Sequence, residues 1–381
     1  MSQTAPGHAG CGVFAAALLR ALVGVLPDAR FLLYPVFGTD FWEPRVELTL
    51  HPGGNGNVAR VIAAESHLGA KQLFGPPLPD LEERLGSPSL VHSNNFFCPR
   101  GLRRARLVYT LYDTIALDYP EWLAEDNRAV CSQGLVEASL RADALLAISR
   151  ASRERFLALF PHYPPERVQV VEPASRFDPR QGAGQPIHGL APGFWLWVGP
   201  YEPRKNLARV LAAHARLLEL RPDAGPLVLC AEEDSGQAEQ ARRSIERLSL
   251  NGHVRRLGRV SDRELAWLYA NCRALLYPSL VEGYGLPVVE AMSLGAPVVT
   301  SSISSLPEAA GGAALLVDPT NEAALSAALL RLHDEPELRE RLTALGRERV
   351  ARRSWEHVAR QVGELYRETL ARPALELPLR S

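Results

Sequence analysis

The chain has 381 residues, more than one hydrophobic core usually holds, so two domains of ordinary size are expected. Apolar residues make up 46% and charged residues 22%, which excludes a disordered or low-complexity chain. A formal net charge of -1 provides no overall positive field to draw nucleic acid, and no apolar run is long enough to span a bilayer.

In chain order, the first periodic segment is CGVFAAALLRALVGVL, which predicts a helix near residues 13–25. Arg20 lies inside it and no basic stretch precedes it, so it does not read as a signal peptide. A doubly wound domain begins with a strand before its first glycine turn, and none is visible ahead of Gly10 and Gly12. The first strand is therefore read as missing. Strand candidates follow as ARFLLYPVF, SLVHS, RLVYTLY, DALLAIS and RVQVVEP, and in the second half as FWLWVG, PLVLC, VRRLG, ALLYPS and APVVTSS. Their alternation with helical segments predicts α/β domains with parallel sheets. The Pro- and Gly-rich stretch 173–193 has no periodicity and reads as a linker. It divides a first domain, 1–172, from a second, 194–354. The last segment, 355–381, is expected to be a helix that crosses back to the first domain.

The five cysteines, Cys11, Cys98, Cys131, Cys230 and Cys272, form no CxxC and have no histidine partner at zinc spacing. They read as reduced thiols of a cytoplasmic protein. His51, His67, His92, His162, His188, His253 and His333 show no ligand spacing, and His214 lies on the apolar face of a predicted helix. The acidic EEDS at 232–235 is not a DxD, so no metal and no cofactor is expected.

Ligands of an open parallel sheet bind outside the carboxyl ends of its strands. Three loops of the second half lie there. PYEPRKN follows FWLWVG and places Arg204 and Lys205 before a helix that Asn206 is expected to cap, where free N–H groups favour an anion. Ser261 and Glu264 read as a capping box, with Gly258, Arg259 and Val260 as a candidate wall for a nucleobase. The third loop is SLVEGYGLPVVEAMSLGAPVV, in which Glu282 and Glu290 flank two glycines and a proline. Pro287 is expected at the first helical position and Glu290 in the first turn. Gly283 and Gly285 let backbone N–H groups approach a ligand. Glu282 is expected to reach a sugar hydroxyl, and Glu290 to accept from both hydroxyls of a ribose diol.

EGYGLPVVE, with EPRKN before it and GAPVV after it, resembles the donor-binding half of retaining glycosyltransferases of family four. The likeness runs continuously from residue 257 to 319 and extends to AISRASRERF, VQVVEP and SWEHVARQVGELYRETL. It implies a GT-B fold: two Rossmann-like doubly wound parallel-sheet domains facing each other across a cleft. Glu290 would then hold the nucleotide ribose, Arg204 and Lys205 the diphosphate, and Glu282 the donor sugar. Gly283, Tyr284, Gly285 and Leu286 would line sugar and phosphates, with Gly199, Val260 and Ser149 also at the donor. Gly10 and Gly12 would close over the diphosphate from the first domain. Members of the family are thought to react on one face of the sugar, the departing phosphate assisting the incoming hydroxyl.

One position departs from the family pattern. Where His-Asp is frequent, this chain has Tyr112-Asp113. Tyrosine does not titrate near neutral pH, so either Asp113 suffices with Tyr112 as a hydrogen-bonding partner, or catalysis is weakened. The resemblance favours GDP-mannose or a related GDP-hexose over a UDP-hexose. It also implies a glycan or polyprenyl-linked acceptor in bacterial surface polysaccharide synthesis, such as lipopolysaccharide. Arg100, Arg103, Arg104 and Arg106 form a basic cluster that either docks on anionic lipid at the cytoplasmic membrane face or is a solvated rim. The alternatives are a degenerate, non-catalytic binding partner and a sugar-nucleotide epimerase. A nicotinamide oxidoreductase lacks the strand before GHAGCG and the acidic residue after it.

Overall fold

The computed structural model describes residues 10–33, 58–60, 79–94, 96–123, 125–178, 180, 184–233 and 236–376. The end of the strand candidate ARFLLYPVF, the end of EEDS, His51, His67 and whatever precedes Gly10 lie outside the described residues. The chain divides into two compact units. One comprises Met1–Pro173 with Ser354–Ser381, and the other Ala174–Arg353.

The first unit holds a four-stranded parallel sheet in the order β3 (Leu90–Ser93), β4 (Arg106–Leu111), β5 (Ala144–Ala147), β6 (Val168–Val170). A separate parallel pair joins β1 (Phe31–Leu33) to β2 (Val58–Arg60). The helix Cys11–Val25 packs along the closing helix Trp355–Ala371. Their seam is made by Phe14 edge-on to Trp355 at 5.6 Å and by Leu26 against Gly363, where a Cβ would come within 3.2 Å. Asp143 ties the tail to the sheet, accepting from Leu107 N and Leu375 N at 2.8 Å each.

Among its described residues the second unit holds six strands: β7 (Trp195–Val198), β8 (Leu227–Cys230), β9 (Val254–Arg256), β10 (Ala274–Tyr277), β11 (Val298–Ser301) and β12 (Leu315–Val317). All pairs are parallel and the order is β12-β11-β10-β7-β8-β9. β8, β10 and β11 are buried along their whole length, as strands covered on both faces must be. That burial explains why they read as unbroken apolar runs rather than alternating ones. Both units are Rossmann-like, as the α/β expectation required.

The stretch expected as a free linker is laid against the second unit instead. Gln185 N donates to Arg263 O at 2.8 Å, Gly193 N to Asn271 O at 2.9 Å, and Arg255 reaches the carbonyls of His188 and Gly189. Its prolines and glycines serve close packing. A Cβ at Gly184 would fall 2.3 Å from Arg263 O.

Candidate functional site

In the second sheet β7 lies beside β10, while the chain leaves them for β8 and β11 on opposite sides. The strand order therefore reverses between β7 and β10, and the crevice at their carboxyl ends is where this topology binds ligands. The loops after these two strands are stitched together. Leu280 N donates to Arg204 O at 2.7 Å, and the Asn206 amide donates to Pro278 O at 2.9 Å and Pro319 O at 2.8 Å. Asn206 thus occupies the N-cap position of the helix Leu207–Leu220 without capping it by its side chain. Its φ of 60° turns the amide away from the helix and onto the neighbouring loops.

The two cations expected at this edge are there, but each already faces a carboxylate. Lys205 Nζ lies 2.6 Å from Glu282 Oε1 and also donates to the Tyr277 hydroxyl. Arg204 NH1 lies 2.9 Å from Glu282 Oε2, and its Nε lies 2.6 Å from Glu202 Oε2. Glu282 is only 9% exposed, so it points into the protein as the anionic floor of the cation pair. Burial pushes its carboxyl up, yet Lys205 and Arg204 outweigh burial and hold it at about 2. Burial also pulls the Lys205 ammonium below its usual value, against the attraction of Glu282. Gly199 ends β7 beside this lysine at φ 142°, and a Cβ there would touch Lys205 Cε at 3.4 Å.

Two serines missed by the sequence reading hold the Glu282 loop. Glu282 N donates to Ser304 Oγ at 3.0 Å, and the Ser305 hydroxyl lies 2.9 Å from Glu282 O and 3.0 Å from Tyr284 O. Tyr284 is buried. Gly285, at φ 108°, has Leu306 Cδ2 only 2.6 Å from where a Cβ would stand, so close packing and backbone conformation both demand glycine.

Glu290 stands in the helix Leu286–Ser293. Because the helix begins at Leu286, Pro287 is its second residue and Glu290 lies in the second turn, beyond the free N–H groups. Gly295 ends the helix as expected, in a Schellman motif: Ala296 N donates to Ala291 O and Gly295 N to Met292 O. What holds Glu290 is Arg176, from the supposed linker, whose Nε lies 2.9 Å from Oε1, and the Tyr269 hydroxyl, 3.2 Å from Oε2. Arg176 also pairs with Asp262 at 3.2 Å and lies over the Phe177 ring. Glu290 is 3% exposed, and here burial wins: its carboxyl is raised above the ordinary range despite Arg176 and Tyr269. No sequence pattern pointed to Arg176, since a lone arginine in an aperiodic stretch carries no signal. Ser261 and Glu264 make the expected capping box, and Val260 is half-buried in the turn before it.

The candidate residues of the first unit form a local group. Gly10 takes φ 62° ahead of the helix Cys11–Val25, and Gly12 is buried in that helix. The buried Tyr112 donates its hydroxyl to Asn94 Oδ1 at 2.9 Å and approaches Cys11 O at 3.3 Å. Its ring packs edge-on to Phe14 at 5.7 Å. Asp113 Oδ1 accepts from Ile115 N at 3.0 Å. Ser149 is fully buried, and its hydroxyl caps the helix Arg150–Leu159 by accepting from Ser152 N at 3.0 Å. In the basic cluster, Arg100 pairs with Glu137 and Arg106 donates to Arg372 O at 3.0 Å. Arg103 and Arg104 are exposed. Among the described residues no helix is long and apolar enough to cross a membrane.

Residues 189–349 match the family described as glycosyl transferases group 1. Over 285 residues the chain is 34% identical to the O-antigen chain mannosyltransferase B of Escherichia coli, which covers 73% of this chain and 74% of that protein. Among solved structures, the sucrose-phosphate synthase of Thermosynechococcus elongatus is similar over 96% of this chain and 94% of its own, at 21% identity and TM-score 0.70. HepE of Anabaena, solved in complex with UDP and glucose, is similar over 93% of this chain and 96% of its own, at 18% identity and TM-score 0.68. At such identities these two structures speak for the fold alone.

Proposed function

Because the chain belongs to the glycosyl transferases of group 1 and has the GT-B fold, we propose that it moves a hexose from a nucleoside-diphosphate sugar to a glycan or lipid-linked acceptor, with retention and without a metal. The observation that carries this reading is the Arg204–Lys205–Glu282 cluster at the switch point of the second sheet. Departure of a nucleoside diphosphate leaves negative charge on phosphate oxygens, and fixed cations at that point lower the barrier most. Glu282 fixes them. It holds both cations at one point of the crevice edge, with Tyr277 as a second partner of Lys205 and Glu202 as a second partner of Arg204. In this reading Glu282 is a positioning residue whose remaining lone pairs meet the sugar.

Glu290 takes the ribose diol, with Arg176 keeping its carboxylate charged. Gly285 and Leu286 offer backbone N–H groups at the start of the helix, where a phosphate is favoured. As the bond from the anomeric carbon to the phosphate oxygen breaks, its electron pair goes to the diphosphate. The acceptor hydroxyl adds on the same face and gives its proton to that departing oxygen. Tyr112 contributes by bracing Asn94 and the Gly10–Gly12 turn, and Asp113 is the carboxylate assigned to the transfer from the first unit.

The mannosyltransferase relative supports a mannose-type sugar and an acceptor of O-antigen synthesis, and from the EPRKN form of the phosphate loop we read a mannose or rhamnose type of sugar, GDP-linked before UDP-linked. Of the basic cluster, Arg103 and Arg104 are the candidates for contact with anionic lipid at the cytoplasmic face. The test is transfer from labelled GDP-mannose, GDP-rhamnose and UDP-glucose to a polyprenyl-linked acceptor, with the product anomer read by NMR. A product with retained configuration that disappears in Lys205→Met supports the reading. Binding of a nucleotide sugar without turnover would leave a binding partner, and interconversion of the free donor would leave an epimerase.

A further inference from the structure

At the edge of the second sheet opposite the crevice, a cavity of about 430 Å³ opens among Arg273, Arg339 and Arg347, with Glu340 as its one carboxylate. Its position follows from the topology. Arg273 immediately precedes β10 and Gly295 to Pro297 precede β11, so the cavity lies at the amino ends of strands whose carboxyl ends hold Tyr277 and the Glu282 loop.

The three guanidiniums are placed by neutral groups. Arg273 Nε donates to Gly193 O at 3.3 Å, its NH1 meets His333 Nδ1 at 3.0 Å, and its plane lies 5.8 Å from the Trp195 ring. Arg339 NH1 donates to Leu332 O and to His333 O at 3.1 Å, the last carbonyls of the helix Glu322–Asp334. Arg347, exposed on the helix Pro336–Ala351, rests over Gly295, where a Cβ would fall 2.7 Å from its guanidinium. Gly295, at φ 87°, has its carbonyl held by the Thr343 hydroxyl at 2.9 Å.

Several surface arginines elsewhere in this unit are matched with acids, as in Arg221–Asp334, Arg242–Glu239, Arg256–Glu233 and Arg331–Glu335. Around the cavity, no carboxylate among the described residues comes within ion-pair reach of Arg273, Arg339 or Arg347. Burial, and then the nearby Arg339, pull the Arg273 guanidinium below its usual value against the weaker attraction of Asp223. Like charges held together in a concavity repel unless an anion lies between them, and planar guanidiniums suit phosphoryl oxygens in particular. The volume is ample for more than one phosphoryl group.

We propose that this cavity is a second anion site, which takes a small soluble ligand bearing two phosphoryl groups, separate from the crevice that binds the donor. Nothing in the transfer reaction uses these three arginines.

The experiment is calorimetric titration of inorganic pyrophosphate at fixed ionic strength into wild type, Arg347→Gln and Arg204→Gln. Arg347 is exposed, so its glutamine variant keeps the fold, which circular dichroism verifies. The proposal expects the Kd at this site to rise at least tenfold in Arg347→Gln and to stay within twofold of wild type in Arg204→Gln. Unchanged binding in Arg347→Gln, loss in Arg204→Gln alone, or no binding to wild type would each overturn it. Should Arg204→Gln fail to fold, wild type against Arg347→Gln still decides. Arg339→Gln serves as a second probe of the same cavity, with the same expected loss.

Discussion

Glu282 and Glu290 sit on one loop-and-helix unit, are buried to nearly the same degree, and are shifted in opposite directions from the ordinary carboxylate range. Two cations face Glu282, and its carboxyl lies at about 2. One arginine and one tyrosine face Glu290, and burial raises its carboxyl. The difference teaches that burial alone does not decide how a carboxylate titrates; the number of cations that come with it does. It also separates two tasks. In the proposed reading, the carboxylate locked between two cations fixes positive charge, and the one held by a single arginine takes the ribose.

The largest expected effect comes from unbalancing the locked pair. Glu282→Ala leaves Lys205 buried without its partner, which costs about 3–5 kcal/mol of unit stability. Replacing both, as Glu282→Ala with Lys205→Met, recovers a large part of that loss while transfer stays abolished. Urea unfolding of the single and double variants checks this as a double-mutant cycle. Additive losses would mean that the pair is not coupled.

Acid titration sharpens the same contrast. Glu282 is depressed from 4.5 to about 2, so its contribution is present above pH 4.5 and disappears as pH falls through about 2. That interval at about 1.4 kcal/mol per pH unit amounts to on the order of 3 kcal/mol. Glu290, being raised, acts with the other sign: its contribution is complete below pH 4.5 and fades as pH rises through its folded value. Stability measured against pH in wild type and Glu282→Gln is expected to differ in slope below pH 4.5, where wild type loses this contribution and the variant, already lacking it, has the flatter profile.

Between the two carboxylates, Gly285→Ala combines a left-handed backbone with a contact to Leu306, and about 2 kcal/mol is expected. Thermal unfolding reads it; a neutral outcome would mean the loop shifts freely and does not hold Glu282 in place. The smallest effect is at the other carboxylate. Arg176→Ala removes the cation of Glu290 and is expected to weaken nucleoside-diphosphate binding about tenfold, roughly 1.4 kcal/mol, with steeper pH dependence. Calorimetry at two pH values tests it.

Much of this architecture was legible in the sequence, for physical reasons. Strands buried on both faces must be short apolar runs, so β7, β8, β10 and β11 stood out between glycines and prolines. β2 is a three-residue strand in GNGNVAR with no apolar periodicity, and β12, also three residues long, was not among the strand candidates. At the site, residue types and spacing placed Arg204, Lys205, Glu282 and Glu290 on the carboxyl edge. They could not show that Glu282 turns inward, because that depends on Lys205 arriving from a different strand's loop. Nor could they show Arg176 on Glu290, since the pairing depends on how an aperiodic segment lies on the folded unit. The capping box at Ser261 and Glu264 was readable because both partners lie within four residues. Asn206 was misread for the complementary reason: distant carbonyls compete for its amide.

The central claim is that the crevice between β7 and β10 binds a nucleoside diphosphate through its ribose and phosphates. The most direct measurement is a thermal-shift panel of GDP, UDP, ADP and NAD on wild type, Glu290→Ala and Arg204→Gln. At about a hundred times its Kd a bound ligand adds roughly 2.7 kcal/mol, enough to move the midpoint by several degrees. The expected result is a shift with GDP, or with UDP, that both variants lose. A shift with NAD alone, or a nucleoside-diphosphate shift that survives in both variants, would contradict the account.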